Sequence, residues 1–238
     1  MNILSIGNSF SQDATRYLHQ IARADGVDIR TVNLYIGGCS LSRHYRNMMS
    51  GERAYSLEVN GVATGFNVSL VEALVNCDWD YITFQQVSSL SADYDSFQPY
   101  LTLLSDYVRE YVPKAKQVIH QVWGYETGSA LLTSKGFATQ AEMTAKEIEA
   151  YDRAAEDIGA EFIIPSGKIM LELVNRGFEK VHRDTFHATY GAGRYALGLG
   201  WYRKFTGNSV ENNSFCDFDE EVTPEQINVI KSVIMENV

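Results

Sequence analysis

The stretch Asn2-Ile3-Leu4-Ser5-Ile6-Gly7-Asn8-Ser9-Phe10-Ser11 starts as an apolar run short enough for a buried strand and stops at a glycine. It then passes into a segment whose Tyr17, Leu18 and Ile21 have helical spacing. Similar short runs recur at Ile29 to Ile36, Tyr81 to Phe84, Val118 to Val122 and Phe162 to Ile164. Between them, Phe97, Leu101, Leu104, Val108 and Tyr111 step by three and four, as do Ile148, Tyr151, Ala155 and Ile158. Each set makes one apolar helical face. Strands alternating with one-faced helices require right-handed crossovers and a mostly parallel sheet covered on both sides. The expected fold is therefore α/β, a three-layer αβα sandwich.

Two segments stand outside that alternation. Residues 53–69 contain Tyr55 to Val59, an Asn60-Gly61 turn and Val62 to Phe66, which reads as a small inserted β-hairpin decorating the sandwich. Thr223-Pro224-Glu225-Gln226 supplies an N-cap, a first-turn proline and a capping-box partner for a C-terminal helix over about 223–237. No linker, repeat or low-complexity tract interrupts the chain, so residues 1–238 read as a single domain.

Composition narrows the partners. Hydrophobic residues at 45% and charged residues at 21% describe an ordinary packed protein. Twenty Lys and Arg against thirty Asp and Glu leave a net charge of −10, which repels phosphate backbones and anionic bilayers. Neither nucleic acid nor membrane is an expected partner. Cys39, Cys77 and Cys216 are odd in number and form no CxxC pair, so no disulfide framework and no metal site is expected. Met1 to Gly7 lacks a basic leader pattern, and the expected location is cytoplasmic, or periplasmic or secreted if a leader has been trimmed.

Ligands of an open parallel sheet bind beyond the carboxyl ends of its strands. After the first strand, Ser9 stands near a helix N-terminus, where unpaired N–H groups favour developing negative charge; Ser9 or Ser11 can equally cap that helix. The spacing is neither a Gly-x-Ser-x-Gly elbow nor a phosphate loop. Late in the chain, Asp184 and His187 stand three residues apart, a separation that lets a carboxylate orient an imidazole so that its other nitrogen accepts a serine proton. Paired glycines at Gly37-Gly38 end the second strand and allow close backbone approach, which favours the Gly38 N–H as an oxyanion donor. Gln85 or Gln86, ending the third strand, offers a side-chain donor; alternation sends them to opposite faces, so only one can point into the site. His120 reads as a core residue, and His19, His44 and His182 as surface positions.

Gly7-Asn8-Ser9, Gly38, a polar third block and Asp184-x-x-His187, in that order, resemble the SGNH or GDSL-like hydrolases from about Asn2 to Gly207. The Gly-Asn-Ser-Phe opening and the glutamines of the third block resemble most the DUF4886-type branch. Two departures are visible: Asn8 replaces the usual aspartate, and Phe84-Gln85-Gln86-Val87-Ser88 replaces Gly-x-Asn-Asp. The resemblance implies a flavodoxin-like sandwich with Ser9 as nucleophile, His187 as base and Asp184 as its orienter. The Ser9 and Gly38 amides plus Gln85, or Gln86 with a one-residue shift, would form the oxyanion hole.

The expected reaction is hydrolysis of a small acyl ester through an acyl-enzyme, with no metal or cofactor. Activity should rise as an imidazole loses its proton, through about pH 6 to 7. Family likeness favours deacetylation of a carbohydrate. Trp123 and Tyr125 after the fourth strand suit stacking on a sugar ring, or a core or lid role. A non-catalytic carbohydrate-binding protein on the same scaffold and an acyltransferase are the alternatives.

Overall fold

The computed structural model describes residues 1–238. Seven strands form one sheet: β1 (Asn2–Gly7), β2 (Arg30–Tyr35), β3 (Tyr55–Val59), β4 (Val62–Val68), β5 (Tyr81–Phe84), β6 (Lys116–Gln121) and β7 (Ile163–Pro165). Their order across the sheet is β4-β3-β2-β1-β5-β6-β7. The five strands from β2 to β7 across that order run parallel, in the register Ile3↔Thr31 and Ile3↔Tyr81 around β1. Centrality explains the sequence of β1: Ile3, Leu4 and Ile6 are all buried because helices cover both faces.

The helices are α1 (Ser9–Thr15), α2 (Leu18–Ala24), α3 (Leu41–Ser50), α4 (Leu70–Val75), α5 (Tyr100–Tyr111), α6 (Ala130–Ser134), α7 (Gln140–Ile158), α8 (Ser166–Asn175), α9 (Ala192–Thr206) and α10 (Pro224–Asn237). α1, α2, α8 and α10 pack against α9 in one layer, while α3, α4 and α7 pack against α5 in the other. The central alternation of strands and helices, and with it the three-layer sandwich, is as the apolar runs require. α10 begins as its sequence dictates: Thr223 Oγ1 accepts from Gln226 N–H, Gln226 reaches back to Thr223 N–H, and Ile230, Val233 and Ile234 dock the helix.

Two expectations change. The β3–β4 hairpin does not decorate the sandwich but continues its sheet, with β3 antiparallel to β2 from Val32↔Val59 to Tyr35↔Ser56. Asn60 and Gly61 both have positive φ, 51° and 77°, the geometry that a two-residue hairpin turn needs. On α7 the buried face is rotated from the expected stripe. Ile148 is 38% exposed, whereas Glu147, Ala150, Tyr151 and Ala154 are buried. Glu147 is tolerated there because its carboxyl is hydrogen-bonded to Ser91 Oγ at 2.7 Å and burial pushes its pKa well above the usual carboxylate range, which favours the uncharged form.

Candidate active site

The turn that leaves β1 is set by short-range contacts. A Cβ on Gly7 would stand 2.0 Å from Ser11 Oγ, so only glycine lets the helix start this close to the strand. Asn8, extended at φ −147° and ψ −152°, is the N-cap: its Oδ1 accepts from Phe10 N–H at 2.9 Å, and its own N–H donates to Ser11 Oγ at 3.1 Å. Asn8 and Ser11 thus share the capping work. The Ser9 hydroxyl, at the first helical position, is left for another partner.

That partner comes from the other end of the chain. Ser9 Oγ lies 2.9 Å from His187 Nε2, and His187 Nδ1 lies 2.7 Å from Asp184 Oδ2. Asp184 Oδ1 also accepts from His187 N–H at 2.8 Å. Burial raises the Asp184 pKa, but hydrogen bonds from the His187 ring and from the His187 and Phe186 amides outweigh it, so the carboxyl is held below its usual range and ionised. An ionised carboxylate can only accept, which puts the His187 proton on Nδ1 and leaves Nε2 free to accept from Ser9.

The loop carrying Asp184 and His187 is held by distant residues. Its strands meet through a bridge between His182 and Ala188 and a hydrogen bond from Arg183 N–H to His187 O at 2.9 Å. Thr185 between them has φ +76°, a conformation disfavoured for a β-branched residue and costing about 1–3 kcal/mol. The segment after β6 fastens this strained turn. Glu126 N–H donates to Thr185 O at 2.8 Å, Trp123 Nε1–H to Phe186 O at 2.7 Å, and His182 Nε2–H to Gly124 O at 3.1 Å. A second fastening comes from α1 itself. Asp13, one turn beyond Ser9 and fully buried, pairs with Arg183 and Arg194 at 2.8 Å each and accepts from Ala188 N–H at 3.2 Å. One carboxylate therefore ties the helix that carries Ser9 to both flanks of the histidine loop.

Ser9, Gly38, Ser88 and His187 line one cleft of about 240 Å³, with Phe10, Phe186 and Val87 supplying apolar wall. Gly38 has φ +61° in a turn closed by Cys39 N–H to Ile36 O at 3.2 Å, and its own N–H has no partner within the chain. Ser88 Oγ accepts from the Tyr125 hydroxyl at 3.1 Å, which leaves the Ser88 proton available to the cleft. A larger cavity, about 590 Å³, lies at the amino ends of β5 and β6 among Asp78, Tyr81, Tyr111 and Lys116, and holds no histidine, serine or cysteine. The smaller cleft, not the larger, holds a hydroxyl with an imidazole beside it.

The sequence model of the family described as Domain of unknown function (DUF4886) matches residues 2–236. The chain belongs to that family. A DUF4886 family protein from Bacteroides uniformis is 30% identical, with 99% of this chain and 93% of that chain covered and a TM-score of 0.90. The acetylxylan esterase Axe2 from Geobacillus stearothermophilus is 15% identical, covers 86% and 94% of the two chains, and has a TM-score of 0.58. A GDSL-like lipase from Bacteroides thetaiotaomicron is 11% identical over 86% of each chain, with a TM-score of 0.50. The last two share the fold, a mostly parallel sheet flanked by helices. None of the curated proteins matches.

Within this DUF4886 chain, several residues stand elsewhere than their sequence context suggests. Neither glutamine amide enters the cleft. Gln85 Nε2 donates to Asn8 Oδ1 at 2.7 Å, beneath the Ser9 turn, and Gln86 Nε2 donates to Ser96 O at 3.0 Å while its Oε1 accepts from Leu41 and Val87 N–H. Buried amides are consumed by buried partners. Trp123 and Tyr125 are likewise buried and present no stacking face at the cleft mouth; the Trp123 ring stacks on Phe10 at 4.1 Å instead. His44 and His182 are core residues: the ring of His44 stacks on Tyr55, and burial lowers the pKa of His44 to about 3 and of His182 to about 4. Asp13, Trp123 as a loop donor and Asn8 as a cap were not singled out for these roles. Asp13 sits four residues after Ser9, but nothing in its neighbourhood announces arginines about 170 positions away.

Proposed function

We propose that this protein is a serine esterase that removes a small acyl group, acetyl in the first instance, from a carbohydrate ester. The observation that carries the reading is the chain of contacts from Ser9 Oγ to His187 Nε2 at 2.9 Å and from His187 Nδ1 to Asp184 at 2.7 Å. Ser9 Oγ attacks the ester carbonyl while its proton moves to His187 Nε2; Asp184 stabilises the resulting imidazolium. The tetrahedral oxyanion accepts from the Ser9 and Gly38 N–H groups, with the Ser88 hydroxyl as third donor in place of a glutamine. Collapse expels the alcohol, which takes the proton from His187. Water, deprotonated by the same nitrogen, then attacks the acyl-enzyme, releases the acid and restores Ser9.

The cleft supports a small acyl group, since about 240 Å³ walled by Phe10 and Phe186 leaves little room for a long chain. The carbohydrate half of the substrate is supported by the shared fold with an acetylxylan esterase. A fluorophosphonate probe is expected to label Ser9, and Ser9→Ala to abolish both labelling and p-nitrophenyl acetate hydrolysis, a loss of at least about 10⁴ in kcat. Hydrolysis that persists in Ser9→Ala would end the esterase reading. Acetate released from acetylated xylo-oligosaccharides, as against acetyl passed to an added sugar, separates hydrolase from transferase.

A further inference from the structure

Beneath the Ser9 turn runs a file of four buried polar side chains, Asn8, Gln85, His120 and Ser166, each at most 2% exposed. Gln85 Nε2 lies 2.7 Å from Asn8 Oδ1, His120 Nδ1 lies 2.7 Å from Gln85 Oε1, and Ser166 Oγ lies 3.0 Å from His120 Nε2. Amides and imidazoles each admit two orientations, so a file of this kind can run in either direction. Here the backbone sets it. Phe10 N–H can only donate and Cys39 C=O can only accept, so Asn8 turns Oδ1 to the first at 2.9 Å and Nδ2 to the second at 3.0 Å. Gln85 must then donate to Asn8 and offer Oε1 to His120. His120 must carry its proton on Nδ1, and Ser166 must donate to Nε2. With that polarity every amide and ring nitrogen in the file has a partner.

We infer that this directed file fixes the Gly38 turn against the Ser9 turn, and that His120 is a positioning residue acting through Gln85 and Asn8. The catalytic consequence rests on the esterase reading; the geometry does not. Cys39, whose carbonyl Asn8 holds, closes the turn that aims the Gly38 N–H, and Asn8 itself directly precedes Ser9. A single amide thus spans the two backbone donors that must act on one oxygen. If residue 120 cannot donate, Gln85 Oε1 is orphaned and its amide can turn, setting oxygen against Asn8 Oδ1 and loosening the span. Misplacement of about 1 Å in such a site costs about 10²-fold in rate. Burial lowers the His120 pKa to about 3, so the ring stays neutral near neutral pH and the polarity of the file does not reverse.

The test compares His120→Phe with His120→Asn. Phenylalanine retains ring packing, since His120 meets Trp201 edge-on at 4.8 Å, but loses the donor; asparagine restores an N–H near the position of Nδ1. We expect His120→Phe to lower kcat for p-nitrophenyl acetate about 10- to 100-fold with KM within about threefold, and His120→Asn to recover most of that loss. Long-range ¹H–¹⁵N spectra of the native protein should show His120 as the Nδ1–H tautomer. The Gly38 and Cys39 amide signals should move in His120→Phe and return in His120→Asn. An Nε2–H tautomer, an unmoved Gly38 signal, or a kcat lost equally in both variants would overturn the inference. If the native protein hydrolyses no ester, the esterase reading falls, while the tautomer and the Gly38 signal still decide the positioning claim.

Discussion

The Ser9 turn and the Asp184–His187 loop face each other across 2.9 Å, yet they are held in different ways. The first is fastened mostly by neighbours: Gly7, Asn8 and Ser11 fix Ser9 within four residues of chain. The second contains a strained Thr185 and is fastened by Trp123, Glu126 and Asp13, residues about 60 to 170 positions away. A locally built turn forms with its own helix, whereas a remotely strapped loop keeps its shape only while the whole domain is assembled. The His187 side of the cleft should therefore lose more to a substitution that cuts its strap than the Ser9 side loses to one within its own cap.

The largest expected effect cuts the loop at its centre. Asp184→Asn removes the carboxylate that holds the His187 proton on Nδ1, and kcat should fall by about 10⁴ with little change in thermal unfolding, because Asp184 is half exposed. A fall of less than tenfold would mean that the carboxylate does not orient the ring.

Cutting the strap comes next. Asp13→Asn leaves Arg183 without a carboxylate partner and Arg194 with only that of Asp219, at 3.0 Å, so urea unfolding should show about 3–5 kcal/mol of lost stability. Because the strap aims His187, kcat at a temperature where both variants are folded should fall well below that of a local variant. Ser11→Ala is that local variant. It orphans the Asn8 N–H and Asn33 Oδ1, the latter 2.7 Å from Ser11 Oγ, and should cost about 1–3 kcal/mol while leaving kcat within about tenfold. If Ser11→Ala damages kcat as much as Asp13→Asn does, the contrast between the two sides is wrong.

The smallest effect lies outside both regions and serves as a reference. Glu147 has its pKa raised by burial, so between the ordinary glutamate value and its own the folded chain binds more protons than the unfolded one. Stability from this group is full below the ordinary value and is lost as pH rises toward the raised one. Glu147→Gln should flatten that decline in urea midpoints between pH 5 and 8.5 without moving kcat. A slope identical in the variant would assign the pH dependence to another group.

How much was legible follows the same divide. The strands around β1 could be read because buried parallel strands leave short apolar runs, and Thr223-Pro224-Glu225-Gln226 because a cap is written in adjacent residues. Ser9, Gly38, Asp184 and His187 were candidates because their residue types, after strand ends or three apart, suit the chemistry. The directions of Gln85, Gln86, Trp123 and Tyr125 were not legible, because a polar or aromatic side chain after a strand can turn inward or outward. What settles its direction is a partner such as Asn8, Ser96, Phe186 or Ser88, supplied by another element. The α7 stripe slipped for a related reason: a glutamate reads as solvated until Ser91 is found beside it.

The order of strands and helices along the chain and the turn geometry at Gly7 and Asn60-Gly61 are short-range matters, decided by backbone sterics and side chains a few residues apart, and the sequence by itself determined them; the three-residue spacing of Asp184 and His187 only made their pairing possible. The joining of the hairpin to the main sheet, the direction of the Asn8–Gln85–His120–Ser166 file and the strapping of the histidine loop to α1 were decided only by tertiary structure. Each depends on a buried donor meeting an acceptor from a distant segment, and burial makes that match obligatory without marking it in the local sequence.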